Sequence, residues 1–556
     1  MITLASCFAE CSIALEVSEG RTSCNHHRRI LDLKGFVSQP CPTMEHFRTN
    51  ARPMDVEDFF RSANERVSRF AQAQVYLYRQ DVALHDYFHA LDSNMLYGRR
   101  DGHMSRPSVN PLAEWSFRVA DKARRFIRPP KIKVDVLFCP TLYFGRKTEV
   151  RFLIETLLGL CQTGAEILCF LPVYAPFRKE LDEKLEAAGY SKQVRFLDPV
   201  MPSGTTDSRM RAIAAKLRGR AAYFETVETL EPHGLSPTAS ALADFEKTAV
   251  YIEAWDRLAA SIEFEAVVAR CHWYELGSSV CRAGLERGKP VITFQQGVVD
   301  YSMDVPVLAS KFVAFGASSA SVLAQLNSRF FDAVGRPESP VEFLPAGCLF
   351  DVVTPLPDQF SLRTVLLIDS HLVEGDPFGQ RVEVQSLLRL AEQLLRTQPA
   401  LRRLVIRLHP HWSQHDVEAC LELARKYRDV CELSHPVWPL EDDLRRSSVV
   451  VGIASGVLSV ASASGLPAIF IRNEEGYWIR DLECFSPEQT LLPDAAFRQL
   501  EQLLTDREAY ARARQTAMRN AREYYANGAN ATLDGAFFTG LLNSERAEKA
   551  LLDGAR

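Results

Sequence analysis

An apolar run that stops on a His-Pro pair constrains this chain more than any other feature. Leu404-Val405-Ile406-Arg407-Leu408 is rich in aliphatic and β-branched residues, and His409-Pro410-His411-Trp412 follows at once. Proline cannot donate to a sheet ladder and biases the residue before it toward extended geometry. The run therefore reads as a buried strand that delivers the His409 imidazole at its carboxyl end, where open α/β sheets bind their ligands. A second punctuation mark comes at Val449-Val450-Val451-Gly452-Ile453-Ala454-Ser455-Gly456, followed by an apolar helical run to Gly465-Leu466-Pro467 and the strand Ala468-Ile469-Phe470-Ile471. This is strand, Gly/Ser turn, helix, strand, and the two turns are expected to share one ligand.

Much of the chain repeats that grammar. A strand over Ile132–Phe138 ends at Cys139-Pro140, and a loop through Tyr143 and Lys147 leads into a helix over Val150–Leu160. Strand Glu166–Leu171, helix Pro176–Ala188 and strand Val194–Leu197 follow, then a mostly helical stretch over 205–262. Strand Ala266–Arg270, helix Gly277–Arg287 and strand Val291–Phe294 lead to the turn Gln295-Gln296-Gly297-Val298-Val299-Asp300; strand Lys311–Phe315 and helix Ser318–Leu326 complete the first unit. The second unit opens on Thr364–Ile368 and a loop carrying His371 and Glu374. Helix Val382–Leu395, the His-Pro strand, helix Val417–Tyr427 and the Gly/Ser segment complete it. The region Glu488–Ala526 reads as one charged helical stretch, and Ala531–Leu542 is apolar enough to dock against something. Strands and helices alternating at these lengths predict an α/β chain of two doubly wound, Rossmann-type domains facing a cleft.

The expected partition is a poorly ordered extension over 1–43, a helical accessory region and linker over 44–130, a first Rossmann-like domain over 131–350, a second over 351–530, and a tail over 531–556. The accessory region is placed by Val56, Phe59, Phe60, Ala63, Val67 and Phe70, which recur at helical steps. A net charge of −5 and the lack of a Lys/Arg block exclude a nucleic-acid arm. No apolar segment reaches the length of a spanning helix, and the first residues lack the basic start of a signal peptide. Thirteen cysteines fit no zinc spacing, and most sit in apolar or amphipathic runs as reduced core thiols do. These features predict a cytoplasmic protein, with peripheral inner-membrane association as a further expectation.

Several groups are candidates for chemistry. His409, with Arg407 two residues earlier, offers a tunable donor and a fixed fork to phosphate oxygens. Either both face the site or Arg407 lies in a helix–sheet interface. The Ser455-Gly456 turn opens a helix and presents backbone N–H groups to an anion, and Gly452 and Gly456 allow close backbone approach. The strict Gly-x-Ser-x-Gly elbow of a nucleophilic serine is absent. In the first unit Gln295, Gln296 and Gly297 form a strand-ending turn that can face a substrate, with Asp300 a candidate base. Tyr143 and Lys147 occupy an equivalent loop. His371 and Glu374 read either as donor-binding residues or as part of a solvated acidic loop. No Asp-x-Asp motif stands at a strand end, so no metal site and no cofactor are expected.

The ordered set of a Gln-x-Gly turn, a strand ending Phe315-Gly316, Arg407-Leu408-His409-Pro410 and Ser455-Gly456 with Ser464-Gly465-Leu466-Pro467 resembles the bacterial surface-polysaccharide transferases of GT-B type. That group holds capsule Kdo transferases, bacterial sialyltransferases and teichoic-acid glycerophosphotransferases. Tyr524-Tyr525-Ala526-Asn527-Gly528 resembles their closing tail helix. The resemblance implies a GT-B-like fold and a metal-independent glycosyltransferase. Such an enzyme moves a sugar from a nucleotide-activated, CMP-linked, Kdo- or sialic-acid-like donor to a glycan or glycolipid acceptor of capsule or lipopolysaccharide. It further implies that His409 (with Pro410) contacts the donor phosphate and that Ser455 and Gly456 bind the same phosphate. Relatives commonly carry Gln-His-Gly where this chain has Gln295-Gln296-Gly297; the base is then Asp300 or another residue of the first-domain loops, or the chemistry is altered. The rival readings are a glycerophosphotransferase or sugar-nucleotide epimerase on the same fold, or a non-catalytic scaffold of a polysaccharide assembly complex.

Overall fold

A computed structural model describes residues 132–140, 147–171, 177–197, most of 252–297, 305–368 apart from 338–339, 381–408, 414–434, 438–471 apart from 454, and 489–542, with a few isolated positions besides. The extension over 1–43, most of the accessory region over 44–130 and the end of the tail lie outside them. Of the accessory region, Tyr78 and Arg79 are helical, and Tyr78 stacks edge-on against Phe330 and Phe331. The Arg79 guanidinium donates to the Val334 carbonyl at 2.9 Å.

The first sheet is assembled from β1 (Val136–Cys139), β2 (Ile167–Phe170), β3 (Val194–Leu197), β4 (Ala266–Ala269), β5 (Val291–Phe294), β6 (Lys311–Ala314) and β7 (Glu342–Pro345). Their spatial order is β3-β2-β1-β4-β5-β6-β7, and every pairing is parallel. β1, β2, β4, β5 and β6 are buried at every position. This is why they read as unbroken apolar runs, since crossover helices cover both faces of a parallel sheet. Helices α1 (Lys147–Gln162), α2 (Arg178–Ala187), α3 (Glu275–Glu286) and α4 (Ala317–Val334) supply that cover. α4 runs two turns beyond the expected Leu326, because Phe330, Phe331 and Val334 continue its buried face to Gly335, which ends it in the left-handed conformation.

The second sheet uses β8 (Thr364–Ile368), β9 (Arg403–Arg407), β10 (Cys431–Ser434), β11 (Val449–Gly452), β12 (Ala468–Ile471) and β13 (Thr490–Leu491). Its order, β10-β9-β8-β11-β12-β13, is again wholly parallel. Helices α5 (Arg381–Thr397), α6 (Gln414–Lys426), α7 (Leu440–Arg445), α8 (Gly456–Ala463), α9 (Pro493–Thr505) and α10 (Arg507–Tyr524) flank it. The sheet order reverses between β8 and β11 here and between β1 and β4 in the first sheet, and such switch points are where open sheets hold ligands. Two doubly wound sheets in one chain give the expected GT-B-like α/β architecture.

The stretch Glu488–Ala526 is not one helix. The short strand β13 comes first, and Asp506 then divides the rest. Its backbone is extended, and its carboxylate caps α10 by accepting from the Glu508 and Ala509 amides at 2.8 and 3.1 Å. α10 ends beside the first sheet rather than on its own. The Ala526 amide donates to the Phe315 carbonyl, and Cys348 pairs with the returning chain near Asn530. Leu533, Phe538 and Leu541 bury themselves in the core that also contains Phe152, Leu157 and Phe294. Gly159 admits this segment: a Cβ there would lie 2.3 Å from the Leu533 carbonyl oxygen.

The nine cysteines among the described residues are reduced thiols. Burial pushes the Cys161, Cys348 and Cys431 thiols up to about 12. At pH 8 only about one in 10⁴ of each is thiolate, the nucleophilic form. Iodoacetamide on the native protein should therefore leave these three unlabelled and reach them only after denaturation; peptide mapping showing native labelling of Cys348 would contradict its burial.

Candidate functional site

The second-sheet half of the site starts at the switch point. β11 is buried throughout and ends at Gly452, whose missing side chain has a packing cause: a Cβ would lie 3.0 Å from both Cβ and the carbonyl oxygen of Ile368 on β8. The close approach that Gly452 permits is thus to the neighbouring strand. Three residues later Ser455, in extended conformation, caps α8 by accepting from the Val457 amide at 3.3 Å. Its hydroxyl proton is still available to donate. Gly456 begins the helix, and a Cβ built on it meets nothing within 4 Å. A helix-initiating glycine that open space does not require leaves room beside backbone N–H groups carrying the positive end of a helix dipole. That combination can hold an anion.

Arg407 ends β9, two strands from Gly456, and is held by protein groups. Its guanidinium donates to Asp443 at 2.5 Å and to the Trp438 carbonyl at 2.9 Å. Asp443, on α7 and nearly inaccessible at 2% side-chain exposure, also accepts from the Ser434 hydroxyl at 2.5 Å and from Arg446 at 2.6 Å. Arg446 reaches Glu432 in turn. Ser434 stands opposite Arg407 in the ladder, so one carboxylate ties together the carboxyl ends of β9 and β10. Of the two placements open to Arg407, the structure has it in the interface between sheet and helix. The strand then runs directly into His409 and Pro410, which, like His371 and Glu374 after β8, lie outside the described residues.

In the first sheet, Gln295 and Gln296 follow β5 and bond mainly to backbone groups. Gln295, 1% exposed, accepts from the Phe315 amide at 2.7 Å and donates to the Gly297 carbonyl at 2.7 Å and to Ser319 at 3.2 Å. Gln296 donates to the carbonyls of Arg270 and Phe294. Lys147 is the first residue of α1, while Tyr143 and Asp300 lie outside the described residues.

The residues that sequence reasoning passed over are Arg270, Cys271, His272 and Trp273, which leave β4 at the first sheet's own switch point and are all buried. The Arg270 guanidinium stands 5.1 Å from the Phe350 ring centroid, where an aromatic face favours a cation. The Arg270 amide donates to Cys139 on β1. A signal was present: a cation and an imidazole directly after the apolar run Ala266–Ala269. Its meaning depends on β1 and β4 being neighbours, which no local pattern states.

No protein-family model matches this chain, and no curated protein matches it. Among solved structures, a putative UDP-N-acetylglucosamine 2-epimerase from Listeria monocytogenes is 14% identical over 75% of this chain and 97% of its own, with a TM-score of 0.45. The UDP-GlcNAc 2-epimerase from Neisseria meningitidis, bound to UDP-GlcNAc, is 14% identical over 74% and 100%, with a TM-score of 0.44. A point mutant of TarM from S. aureus, in a complex that includes UDP, is 10% identical over 53% and 59%, with a TM-score of 0.36. Likeness at this level leaves the chemistry of the chain to be argued from its own residues.

Proposed function

We propose that this chain is a glycosyltransferase that moves a sugar from a nucleotide-activated donor to a bacterial surface glycan, capsule or lipopolysaccharide, with a CMP-linked, Kdo- or sialic-acid-like donor. The observation that carries the reading is the Ser455-Gly456 turn, an unfilled helix start at the switch point of the second sheet. The donor phosphate would sit against the Gly456 amide and the Ser455 hydroxyl. His409, directly after Leu408, would donate to the phosphate as negative charge builds on it during departure of the nucleotide. Charge stabilisation of this kind is worth about 10²- to 10³-fold per donor. Arg407 would act at one remove, by fixing the strand end. The acceptor would approach from the Gln295–Gly297 side, with Asp300 removing the proton from its attacking hydroxyl. Tyr143 and Lys147 would serve the acceptor side, and His371 and Glu374 the donor side.

Product analysis tests the reading. CMP-linked and UDP-linked sugars are incubated with the protein, with and without a capsular or lipopolysaccharide oligosaccharide, in the presence of EDTA. Acceptor-dependent release of CMP, reduced about 10²- to 10³-fold in His409→Ala, supports a metal-independent CMP-sugar transferase. Conversion of a free nucleotide sugar without acceptor supports the epimerase. Absence of turnover with any donor points to a scaffold.

A further inference from the structure

The Gly456 turn and the Gln295–Gly297 turn belong to different sheets, yet an unbroken run of contacts joins them. The Gly456 carbonyl accepts from the Ser459 hydroxyl at 2.7 Å. Ser459 Oγ lies 2.8 Å from Tyr525 Oη. One residue on, the Ala526 amide donates to the Phe315 carbonyl at 2.9 Å, and the Phe315 amide donates to Gln295 Oε1 at 2.7 Å. Gln295 closes the run by donating to the Gly297 carbonyl at 2.7 Å. The Tyr525 and Phe315 rings pack at 5.5 Å between centroids.

Ser459, Tyr525, Phe315 and Gln295 are all buried, so water cannot replace a partner that moves away. Backbone space is equally restricted: a Cβ on Gly316 would lie 2.3 Å from the Tyr524 carbonyl oxygen, so the end of α10 sits directly against the end of β6. A tyrosine ring alone would satisfy the packing. The hydroxyl adds a directional tie to the first turn of α8, the turn that begins at Gly456.

We infer that Tyr525 is a positioning residue whose hydroxyl fixes the first turn of α8 relative to the Gln295–Gly297 turn, holding the two half-sites in one registered geometry. The identity of what each half holds rests on the proposed function; the mechanical link does not. Tyr525→Phe keeps the ring and removes the tie, and Ser459→Ala removes it from the other end.

Amide hydrogen exchange of the full chain reads the link without any ligand. Tyr525→Phe should speed exchange about tenfold in peptides covering 456–463 and also in those covering 291–297 and 311–316, since one buried hydrogen bond is worth roughly that factor. Ser459→Ala should give the same pattern, and the double variant should add no more than about twofold, as expected for partners in one interaction. Faster exchange in 456–463 alone, or singles whose effects multiply, overturns the link. With a nucleotide sugar and acceptor, Tyr525→Phe should lower kcat about tenfold while CMP affinity stays within about twofold. Equal kcat in Tyr525→Phe and wild type overturns the positioning role. Linked exchange in a wild-type protein that binds no nucleotide would uphold the tie and refute the functional reading instead.

Discussion

Asp443→Ala should destabilise the second domain by about 3–5 kcal/mol, the range found when one member of a buried ion pair is removed. Arg407 and Arg446 would both lose their shared carboxylate, and Arg407, at 11% side-chain exposure, has little access to water as a substitute. Ser434 would lose its acceptor in a fully buried position. Asp443→Asn keeps the shape and one acceptor oxygen and should cost less, while Asp443→Leu combined with Arg407→Met should recover part of the loss by exchanging the pair for apolar contact. Urea unfolding followed by tryptophan fluorescence checks this, since Trp438 lies beside the node. An Asp443→Ala protein within about 0.5 kcal/mol of wild type, the scatter of ordinary surface substitutions, would show that the node contributes little.

Gly316→Val should be the second severe change, costing about 2–3 kcal/mol, because overpacking here drives a side chain into backbone. The φ of −160° at Gly316 is extended backbone that any residue adopts, so conformation is not the obstacle. Space is: the Tyr524 and Glu523 carbonyl oxygens lie 2.3 and 2.7 Å from the position of a Cβ, and carbonyls at a helix end cannot rotate aside as a side chain would. Valine there should lever the end of α10 off β6, break the Ala526–Phe315 bond and expose the segment that carries Phe538 to limited proteolysis. Gly456→Ala, with nothing within 4 Å, is the matched control and should resist protease as wild type does. Cleavage of Gly316→Val at the wild-type rate would contradict the docking of the returning chain.

The strands were legible where burial on both faces makes an uninterrupted apolar run. Val291–Phe294, Thr364–Ile368 and Ala468–Ile471 stand where the residue pattern puts them. β7, β10 and β13 were harder to see, since Glu342, Pro345, Glu432 and Thr490 interrupt them and they lie at or near sheet edges. The break at Asp506 is a capping decision: an aspartate inside a charged helical pattern looks like one more surface residue until its side chain turns back to the following amides. The fate of the tail is tertiary altogether. Leu533, Phe538 and Leu541 announce an apolar segment, but its return to the first sheet shows only in contacts with distant elements, at Gly159 and Gly347 among them.

The site divides along the same line. Ser455 and Gly456 were readable because strand, turn and helix are contiguous in the chain. The engagement of Arg407 with Asp443 was not, because the two meet only through the pairing of β9 with β10 and the short helix α7. Arg270 and His272 needed the order of the first sheet before their position at a switch point had meaning.

The most direct test of the nucleotide-binding claim is calorimetric titration of CMP and UDP into wild type, Gly456→Ala and Gly456→Asp. An aspartate at a helix start favours the fold through the dipole, and nothing lies within 4 Å of a Cβ at Gly456. Gly456→Asp should therefore unfold at the wild-type temperature or above it. The same carboxylate would occupy the place of a phosphate and repel it, so affinity should fall by about 100-fold or more, as like charges in contact cost several kcal/mol. Gly456→Ala should bind within a few-fold of wild type. Nucleotide bound by Gly456→Asp as tightly as by wild type would place it elsewhere in the molecule and contradict the site.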